Sequence, residues 1–168
     1  EWSNAKEFNT LSATETTAPG GSITIAGGVS STKTTAVTLS LSATDNVGVT
    51  GYYLSTSATA PLATASGWTT IASTTSYNGS VSYTLGIGDG SKTVYVWYKD
   101  AAGNVSATAS DSITLDTTAP VVTILVVSPI TTSGTINIGG SISENGSGIS
   151  EVYWTNSATG GGAMLGKV

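Results

Sequence analysis

The sequence predicts an all-β protein, an antiparallel two-sheet β-sandwich, and three observations lead to this prediction. Hydrophobic and polar residues alternate with a period of two along most of the chain, as they do in strands with one buried face. Short segments rich in Gly, Asn and Asp separate these runs, and such segments suit turns. No window of comparable length shows the 3.6-residue period of an amphipathic helix.

The predicted strands follow one another at short intervals between residues 22 and 115. About seven are expected, which is the number that one sandwich module contains. Two short strands cover residues 52–55 and 68–71. The residues predicted to point into the core are Val37, Leu39, Leu41, Ala43, Val81, Tyr83, Leu85, Val94, Val96, Tyr98, Ile113 and Leu115.

Composition argues against several classes of function. The chain contains no His and no Cys, so Ser-His-Asp, Cys-His and His-ligated zinc chemistry are excluded. Two facing carboxylates could hydrolyse a glycoside, but the predicted sandwich offers no cleft for them. We therefore expect no enzymatic activity.

Charge and hydropathy also limit the partners. Lys and Arg total five against ten acidic residues, and the net charge is −5. This balance leaves no basic footprint for nucleic acid. No apolar stretch reaches the roughly 18 residues of a membrane span. We expect neither nucleic-acid binding nor membrane insertion, and an acidic chain of this kind suits an extracellular location.

A repeat of 101 residues runs through the chain. Thr16-Thr17-Ala18-Pro19 recurs at residues 117–120, and each copy follows an acidic residue. The match continues downstream, where residues 42–49 align with residues 141–149 if one residue is inserted. The spacing equals the length of one β-sandwich module, so the repeat predicts tandem modules.

The repeat also predicts domain boundaries. Residues 16–116 form one complete module, and residues 117–168 form the first half of a second, similar module. Residues 1–15 contain a linker and one strand, and residues 1–11 resemble the last strand of a fibronectin type III domain. The half-module would expose apolar residues, namely Val122, Ile124, Val126, Ile136 and Ile138. Either a longer chain completes it, or the N-terminal strand of another copy adds to it and builds a fibre.

Four segments carry a resemblance to a known family. Lys99 to Ser106, with the sequence Lys-Asp-Ala-Ala-Gly-Asn-Val-Ser, resembles the turn before the last strand in bacterial immunoglobulin-like and cadherin-like repeats. Residues 94–98 resemble the penultimate strand of that family, residues 43–49 its turn between the second and third strands, and residues 116–120 its inter-domain linker. The resemblance covers residues 16–168 and implies an immunoglobulin-like sandwich in tandem copies.

The resemblance also implies a role outside the cell. Arrays of such repeats occur in adhesins, in surface-layer and fibre components, and as spacers in secreted hydrolases. We expect a structural or adhesive module at a bacterial cell surface, acting as a rigid spacer or a fibre-building repeat. Its partners would be neighbouring modules, other copies of the chain, or surface glycans. The alternative is a carbohydrate-binding or accessory module of a secreted hydrolase.

Acidic and amide side chains recur in the predicted turns and linkers. In the topology that the resemblance implies, the entry to the module and two of its turns share one end. Ca²⁺ prefers oxygen ligands, and it would neutralise crowded carboxylates and stiffen the junction there. The candidate ligands are Glu15, Asp45, Asn46, Asp100, Asn104, Asp116, Glu144 and Asn145. The alternative is that Asp and Asn only form turns, because their side chains cap their own backbone.

Large aromatic residues suggest a second candidate site. The alternation predicts that Tyr95 and Trp97 share the outward face of one strand. With Trp68 and Tyr77 they could form an exposed platform that stacks on sugar rings. Cross-strand packing is the other interpretation, because sheet faces commonly pair large side chains.

Overall fold

The computed structural model describes residues 14–125, 139–156 and 161–164. One 3₁₀ turn, Ala26–Gly28, is the only helical element in those ranges, which confirms the all-β prediction. The strand predicted within residues 1–11 lies outside the described residues. The strands are β1 (Gly20–Ile25), β2 (Ser31–Thr32), β3 (Ala36–Ser55), β4 (Thr69–Thr84), β5 (Gly90–Asp100), β6 (Ala109–Leu115), β7 (Val121–Leu125), β8 (Gly139–Ser143), β9 (Tyr153–Asn156) and β10 (Gly161–Met164).

The strands form one large sheet and two small ones. In the large sheet the order is β1-β3-β5-β6-β2, and β4 pairs with β3. The small sheets are the antiparallel pairs β7-β8 and β9-β10. Several predicted strands are merged, because β3 continues through the turn expected near Asp45 and β4 spans 16 residues. The sheets are curled.

Contacts between residues group the described chain into two compact units. The first unit contains residues 14–24, 40–81 and 94–111. The second contains residues 25–39, 82–93 and the described residues from 112 onward. This division cuts through several strands, so it does not bear on the module boundaries predicted from the repeat.

The core of the first unit comes from alternate residues of β1, β3 and β5. Burial raises the pKa of the Tyr98 hydroxyl, which donates a hydrogen bond of 2.6 Å to the carbonyl of Ser22 and so ties β1 to the sheet. The Tyr98 ring lies directly against Gly21, where a side chain would not fit. The buried apolar residues of this unit are Ile23, Leu41, Ala43, Val49, Tyr52, Val94, Val96, Trp97 and Tyr98.

The core of the second unit is aliphatic. Its buried residues are Ile25, Val37, Leu39, Leu85, Ile113 and Leu115. Backbone hydrogen bonds from Thr114 to Ser30 and from Asp116 to Thr32 attach the short parallel strand β2 to β6. Ten of the twelve residues predicted to point inward are buried, including Leu39 and Val96 at 0% exposure. The other two, Val81 and Tyr83 of β4, are half-buried.

Trp97 corrects one part of that prediction. It was expected to face outward beside Tyr95, but its side chain is fully buried. Tyr53 and Tyr95 pack against the Trp97 ring, with centroids 6.3 Å away in each case. Its indole nitrogen donates to Thr108 Oγ1 at 3.0 Å. Both faces of β5 are therefore covered at this point, a situation that strict alternation does not anticipate.

The β7-β8 pair exposes apolar side chains, among them Val122 and Ile124, two of the residues predicted to be exposed. Val121, Val122, Ile124 and Leu125 are each 61–65% exposed. Val126, Ile136 and Ile138, which were predicted to share this exposure, lie outside the described residues. A two-stranded sheet of this kind buries too little surface to be stable alone.

Candidate functional site

The pairing of β3 with β5 brings two segments of the first unit together. Val49 stands opposite Asp100, and Tyr52 stands opposite Tyr98. The local side-chain turn at Asp45, which lies within β3, and the turn that follows Asp100 therefore lie side by side. These turns carry Asp45, Asn46, Asp100 and Asn104, four of the predicted calcium ligands.

Glu15 contacts both turns. Its Oε2 accepts a hydrogen bond from Asn46 Nδ2 at 2.9 Å, and its backbone carbonyl accepts one from Asn104 Nδ2 at 3.2 Å. Its Oε1 accepts the backbone N–H of Thr17 at 2.6 Å. Hydrogen bonds from the Thr17 backbone and the Asn46 side chain hold the pKa of Glu15 below its usual range. The acid before the first Thr-Thr-Ala-Pro copy is thus bound at three points.

Asp100 is a buried carboxylate with neutral partners. It is 3% exposed, and Oδ1 accepts the backbone N–H of Asn104 at 2.8 Å. Its Oδ2 accepts the Asn104 side-chain amide at 2.6 Å. A buried charge is costly unless hydrogen bonds or an opposite charge compensate it. The Asn104 donors supply part of that compensation.

The two carboxylate oxygens of Asp45 differ, because one forms the local turn and the other has no hydrogen-bond partner. Its Oδ2 accepts the backbone N–H groups of Val47 at 3.0 Å and Gly48 at 2.7 Å, which is the backbone-capping role of the turn interpretation. Its Oδ1 is buried and has no hydrogen-bond partner. An unsatisfied buried oxygen is unfavourable, and a cation is one group that would satisfy it.

The side chains of this cluster carry oxygen atoms, which hard cations prefer as ligands. In their present arrangement, no three acidic side chains among the described residues form a group that could hold a metal ion. The amide nitrogens of Asn46 and Asn104 point at Glu15 and Asp100 and so occupy the space between the acids. A rotation of either amide by half a turn would present its oxygen instead, and the nitrogen and oxygen of an amide have nearly the same shape.

A second cluster surrounds Asp116, the acid before the second Thr-Thr-Ala-Pro copy. Asp116 is 6% exposed, and its Oδ2 accepts the backbone N–H of Ser147 at 2.7 Å and the Ser147 hydroxyl at 2.6 Å. Its Oδ1 accepts the backbone N–H of Thr118 at 3.2 Å. The bonds from Ser147 hold the pKa of Asp116 below its usual range.

The remaining two candidates of this cluster lie in the turn after β8. Glu144 accepts the backbone N–H groups of Gly146 and Gly148, the second at 2.5 Å. Asn145 is exposed. Glu144 and Asp116 line one cavity of about 220 Å³, and Lys33 contributes a positive charge to its wall. A cation would therefore compete there with an ammonium group.

Asp89 binds the segment that contains the second Thr-Thr-Ala-Pro copy, a contact that the sequence did not predict. Its Oδ1 accepts the backbone N–H of Thr117 at 2.8 Å and the Thr117 hydroxyl at 2.7 Å, and its Oδ2 accepts the Thr118 hydroxyl at 2.5 Å. These bonds, led by the one from the Thr118 side chain, lower the pKa of Asp89 to about 2. The available signal was the paired Thr hydroxyls of the repeat, which offer donors, but nothing in the sequence indicated which acid they bind.

Three of the aromatic candidates, Trp68, Tyr95 and Trp97, form a packed group with Tyr53, whereas Tyr77 stacks on Tyr52. Trp68 is half-buried, its Nε1 donates to the Leu62 carbonyl at 2.9 Å, and the Tyr53 ring meets it edge-on. The Lys99 ammonium lies 4.9 Å from the Trp68 ring centroid, so one ring face already has a cation–π partner. Together with the burial of Trp97, these contacts favour packing, and a carbohydrate site at Trp68 and Tyr95 remains a prediction.

Comparisons with known proteins give no match. No protein-family model, curated protein or solved structure is significantly similar to this chain. Within the part of the chain that the structure describes, no helix is long and apolar enough to span a membrane.

Proposed function

We propose that the chain is part of an extracellular array of immunoglobulin-like β-sandwich modules, in which it acts as a rigid spacer or a fibre-building repeat. The observation that carries this proposal is the equivalence of the contacts made by Glu15 and Asp116. These acids occupy the same place in the two copies of the repeat, 101 residues apart.

Each acid ties its own linker to the module that follows. Glu15 accepts the backbone N–H of Thr17, and Asp116 accepts that of Thr118, two residues on in both cases. Each acid also accepts a bond from a turn of the module that follows it, the turn within β3 in the first copy and the turn after β8 in the second. The donor in that turn is Asn46 in the first copy and Ser147 in the second.

Such contacts would turn a flexible connection into an ordered one. Linkers rich in Thr, Ala and Pro are semi-rigid spacers at most when nothing binds them. When the acidic residue of a linker is hydrogen-bonded both to the linker itself and to the module that follows, the linker backbone loses much of its conformational freedom. Asp89 adds a further attachment in the second copy, because it binds both Thr residues of that linker. Repetition of ordered linkers along a chain is what a spacer or fibre needs.

Calcium binding at the first cluster is part of the proposal. Asp45, Asp100 and Glu15 would supply carboxylate oxygens, and Asn46 and Asn104 would supply amide oxygens after rotation. The unpartnered Asp45 Oδ1 and the buried Asp100 carboxylate support this assignment. When bound, the cation would neutralise these acids and strengthen the tie between Glu15 and the two turns.

A thermal-unfolding experiment in Ca²⁺ and in chelator tests the cation. Binding to the native state alone raises the unfolding midpoint with increasing Ca²⁺. We expect this rise in the unaltered protein and in Asp111→Asn, a control carboxylate on β6, and its loss in Asp45→Asn. The Asn oxygen of Asp45→Asn can still accept the Val47 and Gly48 amides, so the turn is preserved. Equal midpoints with and without Ca²⁺ in the unaltered protein would leave turn formation as the sole role of these side chains.

Surface labelling tests the extracellular role. Antibodies raised against the chain should bind intact source cells or their shed material, because an array module is exposed to the medium. Labelling that appears only after the cells are permeabilised would contradict the proposal. A cytoplasmic protein released from the same cells serves as the control for integrity.

A further inference from the structure

We propose that Asn145 is a site of spontaneous chemical modification, at which its side chain is converted through a cyclic imide to Asp or isoaspartate. The proposal concerns the turn after β8 and does not depend on the role in an array. Asn145 is exposed, and its side chain is therefore open to water.

The packing of the turn requires Gly at position 146, and this following Gly is what makes Asn145 reactive. Gly146 follows Asn145, and a Cβ added at Gly146 would lie 2.5 Å from either carboxylate oxygen of Asp116. A side chain at this position would displace Asp116 from Ser147. The site is thus restricted to Gly, so residue 146 has no side chain that hinders attack by its backbone nitrogen on Asn145.

The Glu144 carboxylate contacts the N–H of the nitrogen that would attack Asn145. The Gly146 N–H donates its hydrogen bond to Glu144 Oε1, and the Gly148 N–H holds the other carboxylate oxygen in place at 2.5 Å. A carboxylate within hydrogen-bond reach of the proton that must be removed can act as a general base. This contact is the feature that distinguishes the turn from an unstructured Asn-Gly pair.

The reaction needs only water as a co-reactant. The Gly146 nitrogen forms a bond to Asn145 Cγ while its proton passes to Glu144. The bond from Cγ to the side-chain nitrogen then breaks, Glu144 returns the proton, and ammonia leaves. Water opens the five-membered imide at one of its two carbonyls, which yields Asp or isoaspartate. No oxidation or reduction takes place.

The other Asn-Gly pair in the chain provides an internal control. Asn78 and Gly79 lie within β4, which pairs with β3, so their backbone is held extended. The hydroxyl of Tyr77 lies directly against Gly79. The extended, paired backbone opposes the rotation that ring closure requires. Asn78 should therefore react slowly although its sequence neighbour is the same.

Modification would alter the contacts of Asp116. The product adds a negative charge to a turn that already contains Glu144 and that contacts Asp116 through Ser147, and isoaspartate lengthens the main chain by one carbon. Both changes would displace Ser147, which supplies two of the hydrogen bonds to Asp116. The modified turn should release that acid.

Peptide mapping by mass spectrometry, with isoaspartate detection, tests the proposal. The folded chain is incubated near neutral pH, and conversion at Asn145 is expected to exceed conversion at Asn78 by at least about tenfold, equivalent to about 1.4 kcal/mol in barrier height. In a denaturant the two rates should converge, because both sites then lack structure. Equal rates in the folded protein would overturn the proposal.

Glu144→Gln tests the base. The carboxylate accepts the Gly146 amide at one oxygen and the Gly148 amide at the other. The single oxygen of Gln can replace only one of these acceptors, and the Gln side chain cannot take up a proton at this pH. We expect conversion at Asn145 to fall toward that at Asn78, with conversion at Asn78 unaffected. An Asn145 rate equal to that of the unaltered protein would refute the role of Glu144.

Discussion

The acidic residues of this chain differ in the groups that donate hydrogen bonds to them. Asp89 and Asp116 accept hydrogen bonds from Thr and Ser residues and keep their negative charge more readily than a free aspartate does. Asp45 and Glu144 accept backbone N–H groups of their own turns. Hydrogen bonds to a charged form favour that form, and this is the common cause of the lowered pKa values at Asp89 and Asp116.

Asp89 gives the sharpest prediction at this scale. Its carboxyl carbon, followed by NMR, should titrate with a midpoint of about 2 rather than the ordinary 3.8. Because the folded pKa is depressed, the stabilisation is present above pH 3.8 and is lost as pH falls toward 2. In Thr117→Val with Thr118→Val the hydroxyl donors are absent, so the midpoint should rise. A midpoint near 3.8 in the unaltered protein would mean that the bonds from Thr117 and Thr118 do not form in solution.

At the scale of single strands, the Tyr98 ring and the Ser42 backbone pack so closely against β1 that its second residue must be Gly. An added Cβ at Gly21 would meet the Tyr98 ring and would lie 2.6 Å from the carbonyl of Ser42. A Cβ at Gly20, the preceding residue, would meet nothing within 4 Å. Two adjacent glycines of one strand are therefore under different constraints, although the sequence presents them as equivalent.

Substitution of these glycines should separate the two cases. Gly21→Ala overpacks the contact of β1 with β3 and β5, and overpacking of this kind typically costs about 1–3 kcal/mol. Gly20→Ala is the matched control and should leave the free energy of unfolding unchanged or slightly raised. Urea denaturation measures both. Equal stabilities for the two variants would show that β1 does not pack on Tyr98 as described.

Strand periodicity predicted the buried residues of β3, β5 and β6 because each strand has one face that must leave water. It failed at Trp97, since Tyr53 and Tyr95 cover that side chain on the opposite face. The turn residues of the first cluster were also predictable, because the repeat and the family resemblance placed them at one end. The contact of Asp89 with Thr117 and Thr118 was not predictable. The contact joins Asp89 to two Thr residues that lie 28 and 29 positions further along the chain, and no periodic pattern relates them to Asp89.

For the molecule as a whole, the recurrence of one acid before each Thr-Thr-Ala-Pro copy is the basis of the proposed role. The apolar surface of β7 and β8, with Val122 and Ile124 exposed, is the part that the rest of the module would cover under the proposed role. Further strands of the same module or a strand of another copy would meet that need. Only the second source would make the assembly state depend on protein concentration.

The central claim is that bonded acids keep the linkers ordered, and backbone ¹⁵N relaxation at the amides of Thr17, Thr117 and Thr118 tests it most directly. Order parameters of about 0.85 indicate a rigid backbone, and values below about 0.6 indicate a flexible one. The contacts of Glu15, Asp89 and Asp116 predict values near those of the core strands at all three amides. Values below about 0.6 at these amides, with rigid strands on either side, would contradict the account.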